Sequence, residues 1–327
     1  MISVEDRARN FAERILQGQV GAAARAMTWV ENMSPEAEPL LTALAPHQGK
    51  AQRVGVTGPP GAGKSTLVDS LVRVARGQNH KVGVVAVDPS SPFSGGALLG
   101  DRVRMSRSLE DPDVFVRSMA ARGCLGGLAR TAQEAADILE ALGKDFLCLE
   151  TVGVGQSELA IAQSCDTCTV VLVPEAGGVI QAMKAGLMEI ADIFVVNKAD
   201  RPNVDEMQRQ LMEAASFAER DQWRPPVLKV TAIEGQGIGE LYAELRRHWD
   251  WLQDAGRLDK KRQVQHQARI RELVRAALEE RLWSEPAVLV SLAQAADQLR
   301  MGQIGLHQAA QKVWAGVRER LAHTSLE

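Results

Sequence analysis

The stretch Gly58-Pro-Pro-Gly-Ala-Gly-Lys-Ser-Thr66 stands between a β-branched run, Arg53–Thr57, and a segment whose apolar residues recur at helical spacing. Three of its first six residues are glycine, so the backbone can take left-handed conformations that a Cβ would disfavour. The spacing GxxxxGK[ST] after a strand and before a helix is that of a phosphate-cradling loop. Main-chain N–H groups turn inward around phosphate oxygens, and the following helix offers them its positive end. Gly58, Pro59, Pro60, Gly61, Ala62, Gly63, Lys64, Ser65 and Thr66 are therefore candidate nucleotide-binding residues. In such a loop Lys64 neutralises the β- and γ-phosphates and the Ser65 hydroxyl ligates Mg2+.

A loop of this kind needs a parallel sheet around it, and the sequence supplies one. Short β-branched runs alternate with Gly-rich turns and amphipathic helices, which predicts an α/β fold of the P-loop NTPase type: a mostly parallel sheet covered by helices on both faces. The candidate strands are Arg53–Thr57, Val82–Val87, Val114–Arg117, Phe146–Glu150, Thr169–Val173, Ile193–Asn197 and Val227–Thr231. Residues 51–252 are assigned to this domain. Before it, 1–50 read as an N-terminal helical extension of two or three helices, with Phe11, Ile15 and Leu16 on one face and a break at Gln17-Gly-Gln19. After it, 253–327 read as a C-terminal helical dimerisation region with helices over 257–283, from Pro286 toward Leu299, and over about 306–321. The apolar stripe Ile270, Leu273, Val274, Leu278 and Leu282 has no place in the sheet and predicts a homodimer. A hydrophobic content of 45% is ample for a core of this size.

In open parallel sheets ligands lie beyond the carboxyl ends of the strands, so the loops there should carry the remaining chemistry. Asn197-Lys198-Ala199-Asp200 ends one strand. The Asp200 carboxylate can accept from guanine N1–H and the exocyclic N2 amine, whereas adenine offers neither donor on that edge. This argues for GTP and GDP over adenine nucleotides. Thr231-Ala232-Ile233, after the last strand, can add a backbone N–H to guanine O6. Three acids, Asp88, Asp101 and Glu150, stand at or after other strand ends as candidates for the metal and the attacking water, Glu150 with the reach to act through water. Gly153 and Gly155 then bracket Val154, giving the backbone after Glu150 freedom to move.

A formal charge of −3 gives no electrostatic ground for a nucleic-acid or anionic-membrane partner, and an aromatic content of 4% argues against base stacking. No apolar run reaches the roughly 18 residues of a membrane span, and the first residues are amphipathic rather than signal-like, so a cytoplasmic protein is expected. Four cysteines are too few and uneven for a disulfide framework. Lys260-Lys-Arg262 reads as a solvated helix face. Cys165-Asp-Thr-Cys168 has metal-ligand spacing but no neighbouring second pair, and reads as buried and structural.

The stretches VGVTGPPGAGKST, VAVDPSSPFSGGALLGDRVRM, RGCLGGLA, ETVGVGQSE and KAGLMEIADIFVVNKAD together resemble the MeaB/ArgK-type P-loop GTPases. These are G-protein chaperones of adenosylcobalamin-dependent acyl-CoA mutases such as methylmalonyl-CoA mutase. The resemblance implies that Lys64, Asp88, Asp101 and Glu150 form the hydrolysis centre, that Ser65, Asp88, Asp101 and Glu150 serve Mg2+, and that the run containing Val152, Gly153, Gly155 and Gln156 is a switch. It further implies a mutase as partner, a dimer, slow intrinsic turnover, and gating of cofactor loading by GTP state. The loop Pro174–Lys184, with Gln181 and Lys184, would meet the mutase as an additional switch, although Gly178 and Val179 replace acidic residues common in related chains. The alternative is a metallochaperone GTPase for another metalloenzyme. A protein kinase finds no catalytic-loop or DFG-like motif in the sequence.

Overall fold

The computed structural model describes residues 3–89, 111–121, 127–151, 161–174, 186–216 and 222–323. They fall into two compact units, residues 1–263 and 264–327. In the first, seven strands form one sheet: β1 Gln52–Thr57, β2 Val82–Pro89, β3 Val114–Ala121, β4 Phe146–Thr151, β5 Thr167–Leu172, β6 Ile193–Asn197 and β7 Val227–Val230. Their order is β3-β2-β4-β1-β5-β6-β7, with every neighbouring pair parallel. A sheet covered on both faces has no solvent side, which is why β4, β5 and β6 are buried at every position and read as continuous runs rather than alternations. From β1 the chain builds outward to β4, β2 and β3 on one side and to β5, β6 and β7 on the other. The reversal opens a crevice at the carboxyl end of β1.

Helices α1 Val4–Leu16, α2 Val20–Glu31 and α3 Ala37–Leu44 precede the sheet. The Ser3 side chain caps α1 by accepting from the Asp6 N–H at 3.0 Å. Helix α4, Lys64–Gly77, follows β1; α5, Gly127–Ala141, follows β3; α6, Leu187–Ile190, precedes β6; α7, Val204–Ser216, follows it; and α8, Ile238–Gln253, follows β7. One core holds Val54, Val56 and Cys148 of the sheet with Leu67 and Leu71 of α4 and Leu241 and Leu245 of α8. The other holds Leu147, Leu149 and Phe194 with α5, α7 and the three N-terminal helices. There Ala22, Ala23 and Ala26 of α2 share the cluster with Ala132, Ala135 and Ala136 of α5. Small side chains let the helices lie close.

At the amino ends of the strands, opposite the crevice, buried charges are paired. Asp166 accepts from the Arg53 N–H at 2.9 Å and takes a two-point contact from Arg262, at 2.9 and 2.8 Å. Arg262 also donates to the Gly49 and Ala51 carbonyls, and Arg53 reaches Asp137 and Glu140 of α5. Lys261 donates to the Asp166 carbonyl and to Asp192. The basic run is thus corrected: Lys260 is exposed, but Lys261 and Arg262, in the first turns of α9 (Arg257–Ser284), are half-buried and anchored. Trp223, His248 and Trp251 cluster beside them.

The second unit has its own small core, in which Val288 and Ala295 of α10 (Pro286–Arg300) meet Ala309, Val313 and Val317 of α11 (Leu306–His323). Leu282, expected on the free stripe of α9, packs against this cluster. Ile270, Leu273, Val274 and Leu278 are exposed.

Two stability outcomes follow from the paired charges. Arg262→Ala leaves the fully buried Asp166 side chain short of its main counter-ion and should cost about 3 kcal/mol in urea unfolding, whereas Lys260→Ala should be near neutral. A loss below about 1 kcal/mol for Arg262→Ala would contradict the arrangement. His248, whose Nδ1 contacts the Thr167 hydroxyl at 2.8 Å, has its pKa pushed down to about 4, chiefly by burial and against the pull of Asp192. Its folded pKa therefore lies below the unfolded value near 6.5. The associated stability is complete above pH 6.5 and is lost as pH falls toward 4, by up to about 3 kcal/mol. His248→Gln should flatten this acid limb.

Candidate nucleotide site

Each glycine that shapes the loop after β1 has a separate reason. Gly58 has φ 140°, and a Cβ there would lie 2.0 Å from the Val171 carbonyl oxygen of β5. Gly63 caps α4 with φ 84°, and its Cβ would lie 2.5 Å from Asn197 Nδ2. The loop is thus pressed between β5 and β6, where only bare backbone fits. Lys64 is 6% exposed, and its ammonium donates to the Gly58 and Pro59 carbonyls at 2.8 and 3.0 Å. It is held inside the loop's own curve, where phosphate oxygens can replace those carbonyls as acceptors. Pro60, Gly61 and Thr66 line the exposed side, and Ala62 is buried.

The structure brings Ser65 and Glu150 together. The Ser65 hydroxyl, in the first turn of α4, donates to Glu150 Oε1 at 2.6 Å, and the Glu150 side chain is buried. Parallel register accounts for this: Val56↔Glu150 is a strand pair, so both residues face α4. The Glu150 charge also helps burial push the neighbouring Cys148 thiol up to about 12, burial being the larger cause. Asp88 lies near the carboxyl end of β2, two residues past the pair Ala86↔Glu150, with its backbone beside Ala120 of β3. Asp101, Val152, Gly153, Gly155, Gln156, Gln181 and Lys184 fall outside the described residues. A hydroxyl beside a carboxylate is an all-oxygen donor set that suits Mg2+, an ion that keeps several waters and takes few protein ligands. No group of three or more His, Cys, Asp or Glu that could hold a metal ion occurs among the described residues.

At the base-reading end, Asn197 is a bridge. Its Nδ2 donates to the Ala62 carbonyl at 2.8 Å, and its Oδ1 accepts from the Ala232 N–H at 3.1 Å. It thereby ties the phosphate loop to the turn Thr231–Ile233. Lys198 follows with φ 58°, a left-handed conformation that turns the chain outward. The Ala199 N–H donates to the Val230 carbonyl, and Asp200 is exposed on the wall of a cleft with Thr231 and Gln236. The Thr231 N–H is committed to Gln236, and that of Ala232 to Asn197. The expected donor to guanine O6 therefore narrows to Ile233, whose side chain is 82% exposed. Ser70 of α4, missed in the sequence, donates to the Ala232 carbonyl at 2.8 Å and accepts from Arg73 at 2.7 Å. A serine on the buried side of the helix after the phosphate loop was the only available signal. Cys165 and Cys168 are buried, with Gly55 leaving room for the Cys165 sulfur.

A central β1 leading into a glycine-lined phosphate loop, an acid at the end of β4 bonded to its serine, and Asn-Lys-Ala-Asp at the end of β6 define a P-loop GTPase. Residues 23–287 match the family described as methylmalonyl-CoA mutase-associated GTPase MeaB, and the chain belongs to that family. It is 48% identical to a protein of Pyrococcus abyssi named as a GTPase, over 80% of this chain and 82% of the relative. It is 34% identical to the mitochondrial methylmalonic aciduria type A homolog of Mus musculus, over 87% of this chain and 74% of that one. A crystal structure of an LAO/AO transport system kinase superposes with a TM-score of 0.75 at 28% identity, covering 95% of this chain and 97% of the other.

Asp200→Asn should weaken GDP at least tenfold and shift preference toward xanthine nucleotides, whose 2-oxo group accepts a hydrogen bond. The wild-type chain should prefer guanine over adenine nucleotides by about a hundredfold, because a carboxylate facing adenine loses on the order of 3 kcal/mol. Calorimetry giving equal affinity for ADP and GDP would contradict this.

Proposed function

We propose that this GTPase uses GTP state to gate cofactor loading and to protect or reactivate an adenosylcobalamin-dependent acyl-CoA mutase of the methylmalonyl-CoA mutase type. The observation that carries the reading is the 2.6 Å contact between Ser65 and Glu150. It joins the phosphate loop directly to the root of the segment 152–157, so loss of the γ-phosphate alters the surroundings of the residue from which that segment departs. The family's description as mutase-associated supports the choice of partner.

In this mechanism Lys64 and the loop N–H groups hold the β- and γ-phosphates, and Asn197, Lys198 and Asp200 hold the base. Ser65, with Asp88, Asp101 and Glu150 acting directly or through water, would hold Mg2+, which when bound neutralises charge on the phosphates. Glu150, oriented by the Ser65 hydroxyl, positions the attacking water. Intrinsic turnover is slow, and the mutase accelerates it by closing the segment containing Val152, Gly153, Gly155 and Gln156, together with Gln181 and Lys184. Whichever nucleotide tightens the complex is in turn held more tightly within it.

The chain acts as a homodimer in the cytoplasm. Exposed Ile270, Val274 and Leu278 on α9 support a second subunit as their cover. The buried thiols of Cys148, Cys165 and Cys168 support a reducing compartment, and no helix among the described residues is long and apolar enough to cross a membrane.

GTP turnover measured with and without the adenosylcobalamin mutase of the same cell should rise at least tenfold with the mutase present. Gln181→Ala and Lys184→Ala should reduce that rise while leaving turnover of the chain alone unchanged. Absence of stimulation would remove the mutase from the account. Sedimentation at micromolar concentration should give a dimer, and removal of residues 264–327, which leaves Lys261 and Arg262 in place, a monomer.

A further inference from the structure

The register of β1 against β4 runs from Gln52↔Phe146 to Val56↔Glu150. The next two residues, Thr57 and Thr151, stand where the strands part. Beyond Thr57 the chain enters the phosphate loop at Gly58, and beyond Thr151 it enters the segment proposed to switch. At this fork the two side chains meet, with Thr151 Oγ1 and Thr57 Oγ1 3.2 Å apart and both residues fully buried. Side chains alternate across a strand, so this contact lies on the sheet face opposite the one that carries Ser65 and Glu150. The fork is therefore held from both sides, by Ser65 and Glu150 toward α4 and by two hydroxyls toward the other core.

A buried hydroxyl is retained where it has a partner, since an unpartnered one is unfavourable. Two apolar residues would fill the same space without that demand. A bond between hydroxyls at the point of divergence fixes distance and angle in a way that packing alone does not. We infer that Thr57 and Thr151 form a clasp that sets the position of Glu150 relative to the phosphate loop, and so act as positioning residues for GTP hydrolysis. This rests on the reading of Glu150 given above.

The test uses full-length Thr57→Val, Thr151→Val, the double valine variant and the two serine variants, with single-turnover GTP hydrolysis, GDP affinity by calorimetry and thermal melting. Each single valine should slow hydrolysis about tenfold, with the GDP dissociation constant within twofold of wild type, and the serine variants should restore the rate. The double valine variant should recover melting temperature, because neither hydroxyl is then left alone, yet remain slow. That split separates positioning from stability. Should a valine variant fail to fold, Thr151→Ala takes its place. In a Glu150→Gln background the effect of Thr151→Val should vanish. A slow Thr151→Val beside a Glu150→Gln that hydrolyses normally would sink the reading of Glu150 and, with it, the clasp's action through that residue. A slow Glu150→Gln beside valine variants of wild-type rate would overturn the clasp alone, as would rates that track melting temperature or are not restored by serine.

Discussion

Everything that touches nucleotide in this chain depends on β1 lying in parallel register between β4 and β5. The pair Val56↔Glu150 puts the acid on the same face as α4, where the Ser65 hydroxyl reaches it at 2.6 Å. The neighbour on the other side, β5, presses its Val171 carbonyl so close to residue 58 that only glycine can stand there. A slip of one residue in the pairing with β4 would turn Glu150 to the face away from Val56, and one in the pairing with β5 would set a residue other than Gly58 against the Val171 carbonyl. The register is in turn specified by burial on both faces, since β1, β4 and β5 have no solvent side to which their side chains could turn.

The opposite end of the sheet answers a different demand. Starting three buried strands leaves charged and backbone polar groups away from water, and the two buried acids there are matched: Asp166 by the Arg53 N–H and Arg262, Asp192 by Lys261 and the Cys168 N–H. Burial works against charge on Asp192, yet Lys261 and His248 beside it hold its pKa below the ordinary carboxylate value. Lys261 itself is held above the ordinary ammonium value by Asp192 and its neighbours, against the penalty of burial. Such pairs are expensive to break and modest in net gain. They hold residues 49–53, α5 and the start of α9 in one arrangement. The phosphate loop therefore hangs from a strand fixed at its far end.

Much of this was legible in the sequence because it is local. The phosphate loop, the Asn-Lys-Ala-Asp turn and the acid at the end of β4 each declare themselves within a few residues, and the strands were found with ends displaced by up to four positions, as at β3, which runs on to Ala121. What escaped depends on partners far apart in the chain. Lys261 and Arg262 read as a solvated face because their acids, Asp166 and Asp192, are some 70 to 95 residues away. The two bonds that Asn197 makes to Ala62 and Ala232 became visible only once β6 lay beside the loop. Thr57 and Thr151 each flank a recognisable motif, but neither motif points to the other, and only the strand register sets the two hydroxyls together. Leu282 looked like part of a free stripe because the helical period cannot tell which neighbouring helix will cover it.

The central claim is that Glu150, fixed by Ser65 at the end of β4, serves hydrolysis rather than binding. The direct measurement is GTP turnover and GDP affinity of Glu150→Gln, a substitution that keeps shape and removes the charge. Turnover about a hundredfold below wild type, with GDP affinity within twofold, is the predicted result; turnover equal to wild type would contradict the account.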